Sequence, residues 1–226
     1  MAFHYEQVVP WGRSYEEYVG MFGLTDLDLK KRIIGCGDGP AAFNCRLSRA
    51  GGRVVSVDPL YAWETRAIRA RIRETADSVI AQTRHNLEKF IWSRIKDVED
   101  LKRIRLEAME VFLSDFEAGK ADGRYVPAAL PHVPFTDDSF DLALSSHFLF
   151  LYSENLSLDF HMNAIDEMLR MAGEVRIFPL VDVNTRRSPH IPDILARYHK
   201  AGYYVREIDV DLQFQKGATT MLCIKK

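Results

Sequence analysis

The sequence predicts an α/β fold with a mostly parallel sheet, and three observations carry that expectation. A short apolar run, Ile33-Ile34, ends in the glycine-rich turn Gly35-Cys36-Gly37-Asp38-Gly39. A second apolar run, Val54-Val55-Ser56-Val57, ends in Asp58. The second half then alternates short strand-like and longer helix-like stretches, the pattern of strands joined by helical connections. At 226 residues the chain suits a single domain, 1–226, with room for an elaboration.

The first two observations also suggest a nucleotide cofactor. A strand ending in glycines turns sharply and admits a ligand where a Cβ would collide, and the helix that follows points free N–H groups at that ligand. A carboxylate about 20 residues beyond the glycines, at the tip of the next parallel strand, accepts from ribose hydroxyls. Asp58 stands at that spacing. A dinucleotide fingerprint wants a third glycine where this chain has Pro40. The spacing G-x-G-x-G therefore favours a cofactor without a pyrophosphate.

Segment 31–61 resembles the first motif of class I S-adenosylmethionine-dependent methyltransferases. A second stretch, Val133-Pro134-Phe135-Thr136-Asp137-Asp138-Ser139-Phe140-Asp141-Leu142-Ala143-Leu144, is similar to the segment before the fourth strand in small-molecule methyltransferases of the quinone-biosynthesis type. The resemblance spans about 29–226. It implies a three-layer Rossmann-like fold with a seven-stranded, mostly parallel sheet, S-adenosyl-L-methionine as methyl donor and S-adenosyl-L-homocysteine as product. It also implies that Gly35, Cys36 and Gly37 lie against the methionine part of the cofactor, Asp58 on the ribose and Pro59 near the adenine. Leu130 would flank the adenine, and Ser146 would line the cofactor. Two positions depart from the family pattern. Ile33 stands where an acid commonly helps hold the methionine ammonium, and Ala128 and Ala129 stand where an acid would accept from the adenine amino group. A charge-assisted hydrogen bond contributes about 1.5–3 kcal/mol, so the loss at Ile33 alone would weaken the cofactor tenfold or more unless another group substitutes.

In chain order, residues 1–28 read as an N-terminal helical cap. Its helix starts at Ser14, which with Glu17 has the spacing of a capping box. Arg13 either reaches the methionine carboxylate or lies in solvent. Residues 62–119 contain no proline, and their apolar residues recur at three- and four-residue steps, so the whole span reads as helical. Asp97 followed by Asp100 offers a break and restart, giving two long helices. This insertion between the second and third strands forms a lid over the substrate side, a homodimer contact, or simply an enlarged covering layer. Its cluster Arg66, Arg69, Arg71 and Arg73 reads as a solvated face. After the turn at Asp122-Gly123 come a third strand at 124–126, a fourth at 142–145, a helix at 158–171 and a fifth strand at 175–180. A helix at 192–200, with Gly202 near its C-cap, precedes a closing antiparallel pair at 204–210 and 219–225.

Ligands of such sheets bind beyond the carboxyl ends of the strands. The residues after the fourth strand include His147, whose ordinary pKa suits a base, and Tyr152, which could position an acceptor. His147 has a structural hydrogen-bonding reading as well. After the fifth strand, Arg186 or Arg187 either holds an anionic substrate or is solvated. Neither "NPPY" nor "DPPY" occurs after the fourth strand, which argues against adenine-N6 and glutamine-amide methylation. The resulting expectation is a methyltransferase acting on an unidentified small molecule. Its rivals are an RNA or protein methyltransferase using the insertion as partner surface, and a non-catalytic S-adenosylmethionine-binding regulatory module.

The formal net charge of −2 gives no general pull toward nucleic acid, and no apolar stretch is long enough to span a membrane. Residues 1–10 lack the basic start and apolar run of a signal peptide, so the chain reads as cytoplasmic. Cys36, Cys45 and Cys223 are odd in number and without metal-type spacing, so neither a disulfide framework nor a metal site is expected.

Overall fold

A computed structural model describes residues 9–226; the reading of the leader and the first part of the 1–28 cap fall on residues outside that range. Seven strands form one sheet: β1 (Arg32–Cys36), β2 (Arg53–Val57), β3 (Tyr125–Val126), β4 (Phe140–Ser146), β5 (Ala172–Phe178), β6 (Tyr204–Asp209) and β7 (Thr220–Lys225). Their order across the sheet is β3-β2-β1-β4-β5-β7-β6. The first five strands pair in parallel, and β7 runs antiparallel to both its neighbours. The chain reverses direction across the sheet between β1 and β4, and the crevice above such a switch point is where open α/β sheets take ligands.

Neighbouring residues of a strand face opposite sides of the sheet, and here both sides are covered. On one side Ile33, Val54, Leu142 and Leu144 pack with Tyr18 and Phe22 of α1 (Tyr15–Phe22) and Phe43 of α2 (Phe43–Arg49). On the other, Ile34, Ala143 and Val175 pack with Ile165 and Met168 of α5 (Leu158–Met171) and with Ile194 of α6 (Ile191–Lys200). This double burial explains why the strands read as unbroken apolar runs. It also accounts for Ile33, which is wholly buried among apolar side chains.

α1 begins where its capping box places it. The Ser14 side chain accepts from the Glu17 N–H at 3.2 Å, and the Glu17 carboxylate accepts from the Ser14 N–H at 2.9 Å. Between β2 and β3 come α3 (Thr65–Arg84) and α4 (Val98–Ala121). The restart falls at Asp97, whose side chain accepts from the Asp100 N–H at 2.8 Å. The expectation of helix throughout 62–119 is corrected at residues 85–97, where α3 has ended. Tertiary pairing takes these backbone groups instead: the Ile91 N–H donates to the Phe214 carbonyl at 2.7 Å, and the Phe90 and Phe214 rings stack with centroids 4.9 Å apart.

α4 lies against the β3 edge of the sheet through Phe112 and Phe116, which interlock with Tyr61 and Tyr125 at centroid separations of 5.1 to 5.9 Å. α3 packs on α4, and four arginines of this helix pair face carboxylates: Arg69 pairs with Glu110, Arg71 with Glu74, Arg84 with Glu99, and Arg103 with Asp100 and Glu107; of the cluster read as a solvated face, Arg71 also lines a cleft of the protein. Exposed pairs of this kind contribute about 1 kcal/mol or less each. Their consequence is charge compensation at these four arginines.

Candidate active site

A cleft of about 390 Å³ opens beyond the carboxyl ends of β1, β2 and β4. Its floor is the glycine turn, which neighbouring groups hold rigidly. The Gly37 N–H donates to the Val57 carbonyl at 2.9 Å and the Gly39 N–H to Asp58 Oδ2 at 2.9 Å, while the Tyr61 hydroxyl donates to the Gly39 carbonyl at 2.7 Å. The second Asp58 oxygen accepts from the Leu60 N–H at 2.8 Å. Burial raises the Asp58 carboxyl pKa, and these two N–H groups oppose that shift. Gly37 has φ +73°, and a Cβ there would lie 2.9 Å from the Phe148 ring, so the position demands glycine twice over.

Arg13, Gly37, Asp58, Pro59, Leu130 and Ser146 all line this cleft, together with Ala128 and Ala129. Gly35 and Cys36 do not. A Cβ on Gly35 would fall 1.8 Å from Asp38 Oδ2, so this glycine makes room for a carboxylate of the chain itself. Cys36 is wholly buried in the core on the α5 face, and burial pushes its thiol well up and leaves it inert. The free helix N–H groups expected after the turn are also displaced. α2 starts only at Phe43, and the Ala42 N–H before it donates to the Arg13 carbonyl at 2.9 Å. Gly12 allows this approach, because a Cβ there would meet the Pro40 carbonyl oxygen at 2.1 Å.

Asp38 is the residue that the motif reading passed over. It lines the cleft, lies above Gly35, and accepts from the Tyr18 hydroxyl at 2.8 Å and the Ser56 hydroxyl at 2.6 Å. Burial pushes its carboxyl up to about 6 against the pull of those two hydrogen bonds, and nearby Asp58 adds to the rise. The only signal in the sequence was an acid lodged between two glycines. The structure thus has an acid at the cleft, three residues after Gly35 instead of two before it.

A second, smaller chamber of about 110 Å³ adjoins the cleft. Val9, Trp11, Arg13 and His147 line both spaces and form the wall between them. Beyond that wall the chamber is bounded by Glu17, by Val79 of α3, by Leu101 and Arg105 of α4, by Tyr152, and by Phe178 and Phe214. Tyr152 therefore belongs to the chamber and not to the cleft, and its hydroxyl accepts from the Val9 N–H at 3.1 Å. Arg186 and Arg187 line neither space; they pair with Glu154 and Glu207 respectively.

His147 sits at the hinge of the two spaces in a left-handed conformation, φ +52°. Such a backbone is uncommon outside glycine and requires support. Here the His147 N–H donates to the Phe178 carbonyl at 2.7 Å, and its Nδ1 lies 3.0 Å from Ser146 Oγ. Burial, then Arg13 and Arg105, push the imidazole well below its ordinary range, so it stays neutral. Arg105 is 1% exposed and its Nη1 donates to Glu17 at 2.5 Å. Burial, followed by the charge of Arg105, lowers Arg13 to about 9 even with Glu17 close by.

Among the described residues, no group of three His, Cys, Asp or Glu is placed to hold a metal ion, and no helix is long and apolar enough to cross a membrane.

The sheet order, the cleft above the switch point and the glycine turn answered by Asp58 define the class I methyltransferase fold. Magnesium protoporphyrin IX methyltransferase from Synechocystis PCC 6803 shares it in two crystal structures. The form with bound SAM is 12% identical, with a TM-score of 0.50 over 94% of this chain and 77% of that one. The form with bound SAH is 13% identical, with a TM-score of 0.50 over 93% and 80%. No protein-family model matches the chain. The chain belongs to the family of the uncharacterized protein MJ0045 of Methanocaldococcus jannaschii, to which it is 30% identical over 216 residues, 95% of each chain.

Proposed function

We propose that the protein is an S-adenosylmethionine-dependent methyltransferase acting on a small molecule. The observation that carries this reading is the shared wall: a cofactor-sized cleft meets a smaller chamber at Arg13 and His147. The donor set of the cleft fits the cofactor. Gly37 and Gly39 leave room for it, Asp58 faces the ribose, and Pro59 and Leu130 flank the adenine. Asp38 receives the methionine ammonium in place of the acid missing at Ile33, and Arg13 receives the carboxylate. When bound, the cofactor supplies an activated methyl group that passes to the acceptor nucleophile by in-line displacement, leaving S-adenosylhomocysteine. The residues then mainly position and dehydrate the acceptor. Neutral His147 is a weak base while it is buried beside Arg13 and Arg105. It accepts a hydrogen bond from the acceptor and gains basicity when negative charge enters the site.

The size of the chamber favours a small acceptor over RNA or protein, and so does the pairing of Arg69, Arg71, Arg84 and Arg103 with carboxylates. We read α3 and α4 as a lid and not as a dimer contact, because Val79, Leu101 and Arg105 turn inward to the chamber. Calorimetric titration with S-adenosylmethionine and S-adenosylhomocysteine, with NAD as control, tests the reading. Micromolar binding of the first two, but not of NAD, is expected; failure of both to bind sinks it.

A further inference from the structure

At one end of the cleft the polar side chains donate hydrogen bonds and do not accept them. β3 and β2 stand together at one end of the sheet order, so the residues that follow them share the end of the cleft away from β4 and His147. Pro59 and Trp63 come after β2, Ala128, Ala129 and Leu130 after β3, and Arg71 of α3 completes the wall. Only Trp63 and Arg71 carry polar side-chain atoms there, an indole N–H and a guanidinium, and neither group can accept. The carboxylates of the cleft are committed elsewhere. Asp58 takes the Gly39 and Leu60 N–H groups, and Asp38 takes the Tyr18 and Ser56 hydroxyls above Gly35. Glu74 accepts from Arg71 Nη1 at 3.3 Å, but it is exposed and does not line the cleft. Among the described residues that long bond is the guanidinium's one hydrogen bond, so most of its N–H fork is uncommitted.

Purines differ in what they offer such a fork. Adenine presents the N7 acceptor beside the N6 amino donor, whereas a 6-oxopurine presents N7 beside O6, two acceptors that a guanidinium engages in parallel. A site that reads adenine by its amino group needs an acceptor there, and that acceptor then rejects the 6-oxo analogue. Ala128 and Ala129 supply no side-chain acceptor, and the Ala129 carbonyl already takes the His132 N–H at 3.0 Å. Trp63, 47% exposed, offers a ring for stacking, which every base accepts alike. Discrimination therefore falls to Arg71. We infer that Arg71 is the specificity-determining residue for the purine, and that the cleft takes the inosyl form of the cofactor as readily as the adenosyl form. The inference rests on the methyltransferase reading for the cofactor, and on the donor-only wall for its base.

Calorimetric titration with S-adenosylhomocysteine and S-inosylhomocysteine, which differ only in the amino group and the oxygen at that ring position, tests this. The inosyl compound is expected to bind within about threefold of the adenosyl compound, or more tightly. Arg71→Met is expected to weaken the inosyl compound about tenfold and the adenosyl compound about threefold or less, because two bonds to a charged donor are lost in the first case and one in the second. The Arg71–Glu74 pair lies at the surface, so the variant should keep the unfolding midpoint of the parent chain. A merely structural role for Arg71 would change both affinities by the same factor. An inosyl affinity more than about threefold below the adenosyl one overturns the inference, as does an affinity ratio that Arg71→Met leaves unmoved. Either result, with S-adenosylhomocysteine bound, leaves the methyltransferase reading in place; failure of both compounds to bind removes that reading and the inference together.

Discussion

The cleft and the chamber share a wall and differ in how they are made. The cleft is built mainly from backbone: two glycines, the tips of β1, β2 and β4, and two carboxylates, Asp38 and Asp58, all drawn from short contiguous stretches. The chamber is built from side chains on separate parts of the chain, brought together by α1, the α3–α4 pair with the segment between them, and the loops after β4, β5 and β6. A cofactor common to a fold needs only a fixed backbone, whereas an acceptor particular to a family needs side chains that can vary. If this division holds, changes in the chamber should spare the cofactor, and changes in the cleft should act on the cofactor first.

The largest expected effect comes from breaking the chamber floor. Glu17→Ala leaves Arg105 buried without its counter-charge and removes half the capping box of α1. A loss of about 3–5 kcal/mol is expected, measured as the shift in urea unfolding midpoint at unchanged slope. A loss under about 1 kcal/mol, the range of exposed pairs such as Arg32–Asp141, would mean that the pair is solvated and the chamber open.

In the cleft, Asp58→Ala removes the acceptor for the Gly39 N–H as well as the proposed ribose contact. Cofactor affinity should fall about tenfold to a hundredfold by calorimetry. Unchanged affinity would refute the ribose assignment. On the shared wall, His147→Ala should lower kcat about tenfold to a hundredfold with little change in cofactor affinity. Turnover equal to that of the parent chain would leave His147 a purely structural residue.

These contrasts follow what could be read from the residues. The glycine turn, Asp58 at the tip of β2, the succession of strands and helices along the second half of the chain and the capping box at Ser14 are local patterns, and the structure reproduces them. The Asp97 restart was legible for the same reason. Residues 85–97 were not, because their partner Phe214 lies more than a hundred positions away and only tertiary contact removes their helical pattern. Arg105 looked like one more arginine on a mixed-charge helix. Its burial depends on Glu17, which the capping box had already accounted for in another role. Gly12 and Asp38 were visible only as residue types, since a close approach to Pro40 or a carboxylate folded over Gly35 leaves no periodic trace.

Asp38 provides the finest test, because it joins cofactor recognition to pH. Its folded pKa, about 6, stands above the ordinary value of 3.8, so ionisation opposes folding. The apo protein should therefore lose stability as pH rises from about 4 to about 6, by about 3 kcal/mol attributable to this group, and hold level above that. Other carboxylates titrate in the same range, so the quantity to read is the difference between the parent chain and Asp38→Asn. A bound ammonium reverses the preference. If Asp38 receives it, cofactor affinity should rise about tenfold as pH increases through 6, with a proton released on binding. Asp38→Asn should flatten that dependence and retain the lower affinity throughout. A pH dependence that survives in Asp38→Asn would assign the titration to another group and remove Asp38 as the acceptor of the ammonium.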